Sequence, residues 1–230
     1  MTDEIAGLDV SSVQGEITDE QAEAVVARGT RFVVFKCGEG NKGKDPRCDE
    51  GVARFRALGL VVGRYHFPYL GLPEDPRHPG RSPEAQAEQH WAWGAASRQP
   101  GDLVDTADLE WPDSSLWGKP IPGVDNSVVT HSAALDGALR YLARYKALSG
   151  RAMTVYGSPW FLHTLGLPAE VAGESALWVA AYGPACPVVP PWVGHSLWQT
   201  GGGSLQRLPS GVPVDTDVCA DEATLQALLT

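Results

Sequence analysis

Two carboxylates separated by one residue, Asp108 and Glu110, are the residues whose types and spacing most directly suggest chemistry. They end a short apolar stretch, 103–110, which lies between Pro100-Gly101 and Pro112 and is predicted to be a β-strand. Because successive strand side chains point to opposite faces, the two acids would share one face, about 6–7 Å apart along the chain. If they are buried without partners they repel, so at least one of them would hold its proton near neutral pH.

A protonated acid beside an ionised one is what cleavage of a glycosidic bond requires. The spacing also fits a plainer interpretation, in which both acids are solvated residues at a strand end. Perturbed carboxylates occur in purely structural networks as well. The pair therefore predicts glycosidase chemistry only if the elements around it bring further polar groups to the same place.

The totals describe a chain that can bury a large core. It has 230 residues, 43% of them hydrophobic, and a mean hydropathy of -0.16, which favours a single domain spanning 1–230. No apolar run approaches the roughly 20 residues that span a bilayer, so we expect no membrane insertion. A net charge of -10 without a basic cluster argues against a nucleic-acid partner. We expect a monomer.

The first residues, Met1 to Gly7, lack the basic start and apolar run of a signal peptide. We therefore expect synthesis in the cytoplasm and release by another route, such as phage lysis or injection. The four cysteines, Cys37, Cys48, Cys186 and Cys219, form no CxxC pair, which disfavours structural zinc. Two disulfides, 37–48 and 186–219, and four free thiols are both compatible with the sequence.

Strand and helix patterns alternate through the first two-thirds of the chain. Eight strands are predicted, at 5–10, 31–36, 60–67, 103–110, 152–156, 176–182, 195–200 and 212–218. Helices are predicted at 18–28, 49–58, from Ser82 onward, at 127–149 and at 221–229. Two irregular loops, 68–83 and 112–124, interrupt the pattern.

This order predicts an α/β fold, an irregular TIM-like β/α barrel. Alternating strands and helices favour parallel strands joined by right-handed crossovers, and eight strands favour closure. The last third is helix-poor, because 183–194 contains four prolines and cannot form a full crossover helix. We therefore expect some late strands to be antiparallel.

In such barrels the chemistry lies at the carboxyl ends of the strands. Polar and aromatic residues follow the predicted strands at these ends: Asp9, Lys36, Glu39, Tyr65, Phe67, Asp108, Glu110, Tyr156, Trp178, Tyr182, Trp198, Gln199 and Asp215. Carboxylates framed by aromatic faces and amides suit a sugar. A lone Trp on a strand is more often a core residue, however, and His66, flanked by two aromatics, is predicted to be a hydrogen-bonded core histidine. Asp215 is hard to separate from Asp217 on local grounds.

Six short motifs in this order resemble the glycoside hydrolase family 25 lysozymes, the Chalaropsis-type muramidases. They are Gly7-Leu-Asp-Val-Ser-Ser-Val-Gln-Gly15, Phe35-Lys-Cys-Gly-Glu-Gly40, Gly63-Arg-Tyr-His-Phe67, Asp108-Leu-Glu110, Leu177-Trp-Val-Ala-Ala-Tyr182 and Leu197-Trp-Gln-Thr200, followed by Val214-Asp-Thr-Asp217. Cys37 and Thr200 depart from the residues more usual in that family, which affects subsite details rather than the reaction.

The resemblance implies a barrel that cleaves the β-1,4 bond between N-acetylmuramic acid and N-acetylglucosamine in peptidoglycan. Asp108 and Glu110 would be its catalytic Asp-x-Glu pair, and Asp9 and Asp215 the acids that flank the pair. Glu110 is expected to be the general acid. Asp108 is expected to stay ionised and either to stabilise the transition state or to orient the substrate's N-acetyl group. The expected substrate-binding residues are Tyr65, Phe67, Lys36, Glu39, Trp178, Tyr182, Trp198 and Gln199.

Two other functions remain compatible with the sequence. The first is a barrel that binds peptidoglycan without cleaving it, although such a protein would not need two adjacent acids. The second is a divalent-metal hydrolase that uses Asp9, Asp108, Glu110 and Asp215 with His66. It is disfavoured because the six histidines form no H-x-H or H-x-x-x-H pair. We therefore expect no cofactor and no metal.

Overall fold

The structure is a computed structural model that describes residues 4–72, 79–110, 129–202, 211 and 213–230. Its strands are β1 (Ile5–Val10), β2 (Phe32–Glu39), β3 (Gly43–Lys44), β4 (Val61–Phe67), β5 (Thr106–Asp108), β6 (Thr154–Gly157), β7 (Leu177–Ala180), β8 (Leu197–Gly201) and β9 (Asp215–Cys219). Its helices are α1 (Asp19–Ala27), α2 (Cys48–Ala57), α3 (Pro83–Gly94), α4 (His131–Ser149), α5 (Pro159–Leu165), α6 (Ala169–Glu174) and α7 (Glu222–Ala227).

Eight of these strands close into a barrel, in the order β1-β9-β8-β7-β6-β5-β4-β2, and parallel pairing of β1 with β2 completes the ring. β3 extends β2 as a short antiparallel addition. β9 runs antiparallel to both of its neighbours, β1 and β8, whereas the other barrel pairings are parallel. The predicted irregular TIM-like barrel with an antiparallel late strand is confirmed.

Local sequence signals set several helix boundaries as predicted. Thr18 and Gln21 form a reciprocal capping box at the start of α1. Ser82 accepts a hydrogen bond from the backbone N–H of Ala85, with Pro83 in the first turn of α3. Gly150 ends α4 in the left-handed conformation, with φ of 74°. α4 begins at His131, later than the predicted 127, and residues 127 and 128 lie outside the described part of the chain.

Other elements differ from the prediction. Within the stretch 103–110 the barrel strand spans only Thr106–Asp108. Leu103 donates its N–H to the carbonyl of Val62 on β4 and also forms an antiparallel bridge with Leu229, and Val104 donates its N–H to the carbonyl of Leu228. The C-terminal tail thus holds the start of the segment. α5 and α6 were not predicted, although Ser158 caps α5 by accepting from the N–H of Phe161. The predicted loop 112–124 lies outside the described residues, as does 73–78 within the predicted loop 68–83.

The core inside the barrel is apolar at the amino ends of the parallel strands. One buried cluster joins residues of β1, β2, β7, β8 and β9 with Leu225 and Leu228 from the C-terminal region. Phe32 reaches across to β1, where a Cβ on Gly7 would lie only 2.1 Å from the Phe32 ring. Side chains of this cluster therefore fill the apolar half of the barrel.

A buried ionic network anchors β5, the strand that carries Asp108. The fully buried Arg64 on β4 donates to Asp105 (Nε to Oδ1, 3.1 Å) and to Asp102 (Nη2 to Oδ2, 2.8 Å). Arg98 donates to the other Asp105 oxygen at 2.7 Å. Removing one partner of such a buried pair typically costs about 3–5 kcal/mol, so the segment that leads into β5 is firmly held.

The predicted core role of His66 is confirmed. The ring is fully buried, with Nδ1 3.0 Å from the hydroxyl of Tyr141 and Nε2 3.0 Å from the carbonyl of Gly40. His90 lies 2.8 Å from the same hydroxyl through its Nδ1. Burial lowers the pKa of both histidines, that of His90 to about 4. They are therefore neutral at pH 7.

All four cysteines are free thiols. None of the helices in the described part of the chain combines the length and the hydropathy needed to cross a membrane.

Candidate active site

A pocket of about 210 Å³ opens at the carboxyl ends of the barrel strands. It is lined by Asp9, Tyr65, Asp108, Glu110, Tyr156, Trp178, Tyr182, Gln199 and Asp215. The pocket thus contains the four acids predicted to be catalytic and four of the residues predicted to bind substrate. A larger groove of about 630 Å³ between α4 and α6 has none of these residues in its wall, so size alone does not identify the site.

Strand register explains how residues distant in sequence meet here. Asp9 pairs with Asp215 across β1 and β9. Asp108 pairs with Tyr156 across β5 and β6, and Tyr156 in turn pairs with Trp178 on β7. Because inward positions recur at every second residue, each strand contributes side chains from its last inward positions. Closure of the ring then brings the first and last strands side by side.

Asp108 and Glu110 differ in environment. Asp108 is buried, and its Oδ1 meets no donor among the described residues. Burial, followed by the charge of Glu110, raises the pKa of Asp108 well above its usual range. Glu110 is exposed at the mouth of the pocket, but desolvation by the surrounding protein still raises its pKa, with the charge of Asp215 adding to the effect.

The pKa shifts of the two acids differ from the expectation that Asp108 stays ionised while Glu110 is protonated. Of the two acids, the buried Asp108 is the more strongly driven toward its neutral form. The charge of Glu110 opposes the ionisation of Asp108, so the two carboxyls titrate as a pair. A donor brought by a ligand to Asp108 would stabilise its anion and leave the proton on Glu110.

Gln199 connects the other side of the pocket. Its Oε1 accepts hydrogen bonds from the hydroxyls of Tyr156 and Tyr182, both at 2.9 Å, and its Nε2 donates to Asp9 Oδ2 at 2.7 Å. Tyr156 is also within hydrogen-bond reach of Glu110, so its single proton can serve either partner. Burial and the Asp215 charge raise the pKa of Asp9 to about 7, while the Gln199 amide opposes the rise.

A fifth acid, Asp217, lies beneath the pocket. It is buried and accepts a hydrogen bond from the indole N–H of Trp178 at 2.8 Å. The sequence pattern indicated Asp217 only as an ambiguity beside Asp215. The alternation of strand side chains carried a signal, since residues 215 and 217 of one strand must share a face. Tyr156 was predicted at a strand end without a role toward the substrate, although it lines the pocket.

Lys36, Glu39 and Phe67 lie on the rim rather than in the pocket wall. Lys36 Nζ is 2.8 Å from Glu39 Oε2 and 5.7 Å from the centre of the Phe67 ring. The Lys36 charge lowers the pKa of Asp108 and of Glu110, so it acts on both acids from this position. Tyr69 also donates to Glu39, and that hydroxyl and Lys36 help to lower the pKa of Glu39 against the effect of burial.

Trp198 does not join the pocket. It follows Leu197 and precedes Gln199 on β8, so its side chain points to the face opposite to Gln199. Its indole N–H donates to the carbonyl of Ala181 at 2.6 Å, and its ring meets the edge of His195. Its expected contact with substrate stays a prediction, at a position outside the pocket wall.

The metal-hydrolase alternative requires a group of side chains that can hold a metal ion. Across the described ranges, no three His, Cys, Asp or Glu side chains form a group that could hold a metal ion.

Comparisons with known proteins agree on one family. A family model described as "Glycosyl hydrolases family 25" matches residues 8–204. Lysozyme M1 from Streptomyces globisporus is 28% identical over 218 residues, which are 94% of this chain and 67% of that protein.

Solved structures give the same result at the level of the fold. The bacterial lysozyme from Streptomyces coelicolor is similar with a TM-score of 0.74 and 26% identity, covering 97% of this chain and 96% of that one. A family GH25 lysozyme from Aspergillus fumigatus has a TM-score of 0.76 at 20% identity, with 99% of each chain covered.

Proposed function

The chain belongs to glycosyl hydrolases family 25, and on this premise we propose how its pocket hydrolyses peptidoglycan as an N-acetylmuramidase acting on the bacterial cell wall. Glu110 is the general acid, and Asp108 is the residue that stabilises the transition state or the substrate's N-acetyl group. Asp9 and Asp215 flank the pair. One observation carries this proposal: four carboxyls converge at the carboxyl end of the barrel among aromatic and amide side chains.

The environments of the two central acids support their roles. A general acid must be protonated near the working pH and must reach the oxygen that leaves. The raised pKa of Glu110 favours its protonated form, and its exposed position at the mouth of the pocket lets it reach the oxygen of an entering glycan strand. Asp108 lies deeper, with an oxygen that lacks a donor among the described residues. The N–H of a bound N-acetyl group would supply that donor and hold Asp108 as an anion.

The reaction then runs in two steps. Glu110 gives its proton to the glycosidic oxygen while the bond from that oxygen to C1 of N-acetylmuramic acid breaks, and N-acetylglucosamine leaves with a free C4 hydroxyl. Positive charge develops on the C1 side and is stabilised by Asp108 directly, or by the N-acetyl oxygen that Asp108 orients toward C1. Water then attacks C1 and loses its proton to Glu110, which restores the acid.

The remaining pocket residues fit the recognition of a sugar. Tyr65, Tyr156, Trp178 and Tyr182 give the pocket an aromatic wall, against which the apolar C–H face of a sugar ring can stack. Asp9, Asp215 and Gln199 supply acceptors and one amide donor for hydroxyl groups. Lys36 on the rim partly offsets the negative charge of the acids.

The test is digestion of purified peptidoglycan by wild-type protein and by Glu110→Gln, with mass analysis after borohydride reduction. We expect new reducing ends on N-acetylmuramic acid from the wild type. We expect a loss of at least about 10²-fold in Glu110→Gln, because the amide cannot donate a proton to the leaving group. Glu88→Gln, an exposed glutamate on α3, is the matched control and should match the wild type.

Other outcomes would redirect the assignment. Appreciable lysis by Glu110→Gln would refute its role as the acid. Reducing ends on N-acetylglucosamine would reassign the bond that is cut. If wild-type protein sediments with the wall but produces no new reducing ends, a non-catalytic binding barrel is favoured. Loss of activity in EDTA would favour a metal hydrolase.

A further inference from the structure

The carboxyl group of Asp217 is in an unusual position for an acid. It lies on β9 one inward position below Asp215, it is 2% exposed, and its Oδ1 accepts the indole N–H of Trp178 at 2.8 Å. Its Oδ2 is buried and meets no hydrogen-bond donor among the described residues. An ionised carboxylate in this position would leave charge on a desolvated oxygen, which is costly.

Asp9 is the neighbour that resolves this problem. In the β8–β9 ladder Asp217 pairs with Gln199, and Gln199 donates to Asp9 Oδ2 at 2.7 Å. The register of β9 against β1 and β8 places Asp217 diagonally opposite Asp9, close enough that each acid acts on the pKa of the other. A hydrogen bond between the two carboxyls, which would give the unpartnered Asp217 Oδ2 a partner, requires one of them to supply a proton, since ionised carboxylates only accept.

The surroundings decide which acid holds the proton. Asp9 already accepts a hydrogen bond from the Gln199 amide, which favours its ionised form, and it faces the pocket. Asp217 is farther from solvent, and the charges that act on it, Asp9 on β1 and Asp215 on β9, are both negative. Burial accordingly raises the pKa of Asp217 well above its usual range, whereas that of Asp9 rises to about 7.

We propose that Asp217 is a positioning residue that acts as a neutral acid and donates its proton in a hydrogen bond to Asp9. Together with the Gln199 amide, it fixes the Asp9 carboxylate so that the free acceptor capacity of Asp9 faces the pocket. Trp178 holds Asp217 from the other side and so sets the direction of its O–H. The inference rests on the proposed function only in taking Asp9 as a residue that acts on the glycan.

Two substitutions at residue 217 separate a neutral donor from a required charge. In Asp217→Asn the amide Nδ2 donates to Asp9 and the amide oxygen accepts from Trp178, so we expect the wild-type kcat/KM and an unchanged pH profile. In Asp217→Leu, which is similar in volume, Asp9 loses the donor. A hydrogen bond to a charged group is worth about tenfold to hundredfold, so kcat/KM should fall by that factor and the acid limb should move to higher pH.

The result that would overturn the proposal is equally specific. If Asp217 is an anion, Asp217→Asn will be as impaired as Asp217→Leu, or the acid limb of its pH profile will move to lower pH, because removing a negative charge lowers the pKa of Asp9. Either result would show that Asp217 works as an anion.

A second measurement does not depend on turnover. The infrared difference spectrum of wild type minus Asp217→Asn, taken near neutral pH, should contain the carbonyl stretch of a protonated carboxylic acid. A carboxylate band in its place would refute the proposal, even if Asp217→Leu fails to fold. Because this readout needs no substrate, failure of the Asp217 proposal can be distinguished from failure of the assignment of Glu110 and Asp108.

Discussion

Replacement of Gln199 by Leu should move the titration of Asp9 and, with it, the acid limb of the activity profile. Gln199 is 3% exposed and donates the 2.7 Å hydrogen bond to Asp9 Oδ2. Leu has a similar size but no polar atom, so Asp9 would keep its burial and its repulsion by Asp215 while losing the amide that opposes them. The pKa of Asp9 must therefore rise.

The size of the shift follows from the bond that is lost. A hydrogen bond to a charged group contributes about 1.5–3 kcal/mol, which corresponds to about 1–2 pKa units. From its value of about 7, the pKa of Asp9 would move to about 8–9 in the variant. At pH 7 the ionised fraction would fall from about one half to about 1–10%, and a reaction that needs the anion would slow by about 5- to 50-fold.

The assay is kcat/KM against pH on a soluble glycan fragment, because this parameter reports the ionisation of the free enzyme. Carbon-13 NMR of labelled aspartate would follow Asp9 directly, with its resonance identified by its absence in Asp9→Asn. Thr200→Val is the control, since Thr200 lies on the opposite face of β8 and bonds to Thr216. An Asp9 pKa that is unchanged in Gln199→Leu would refute the electrostatic role assigned to the Gln199 amide.

Two further predictions concern stability. Asp108→Asn should be inactive but more stable than the wild type at pH 8, because the raised pKa of Asp108 means that the fold opposes its ionisation. The gain in stability should vanish below about pH 4, where Asp108 is protonated in the folded and the unfolded chain alike. Denaturant unfolding at both pH values would detect this difference. Because the pKa of His90 is lowered to about 4 in the folded protein, the free energy of unfolding should fall by about 3 kcal/mol as the pH falls from about 6.5 to about 4. The fall should be smaller in His90→Gln, and an equal fall in both proteins would contradict the role of His90 in this pH dependence.

Local sequence signals were sufficient for much of the architecture. Alternation of strands and helices predicted the barrel, and six ordered motifs predicted the family that the comparisons support. Capping residues such as Thr18 and Ser82 placed helix starts accurately, because a cap depends on atoms within a few residues of chain. The Pro-rich segment 183–194 correctly indicated a connection without a full crossover helix.

Sequence patterns were least informative where distant partners decide the outcome. The segment 103–110 has a strand-like pattern, but the barrel strand within it spans only Thr106–Asp108, and its first part also pairs with the C-terminal tail at Leu228 and Leu229. Trp198 occurs in a family motif, yet the register of β8 sets it on the face opposite to Gln199. The pairing of the tail cannot be derived from composition or periodicity, because it depends on which segment lies alongside. The direction of Trp198 does follow from the alternation of strand side chains once Gln199 is known to face the pocket.

The sequence by itself determined which residues could take part in the chemistry: Asp9, Asp108, Glu110 and Asp215, with aromatic residues at strand ends. Only the tertiary structure decided the protonation of these acids and the identity of their partners. A pKa depends on burial and on charges within a few ångströms, and those come from strands far apart in the chain. Closure of β1 against β9 is what places Asp217 beneath Asp9, a contact between residues separated by nearly the whole sequence.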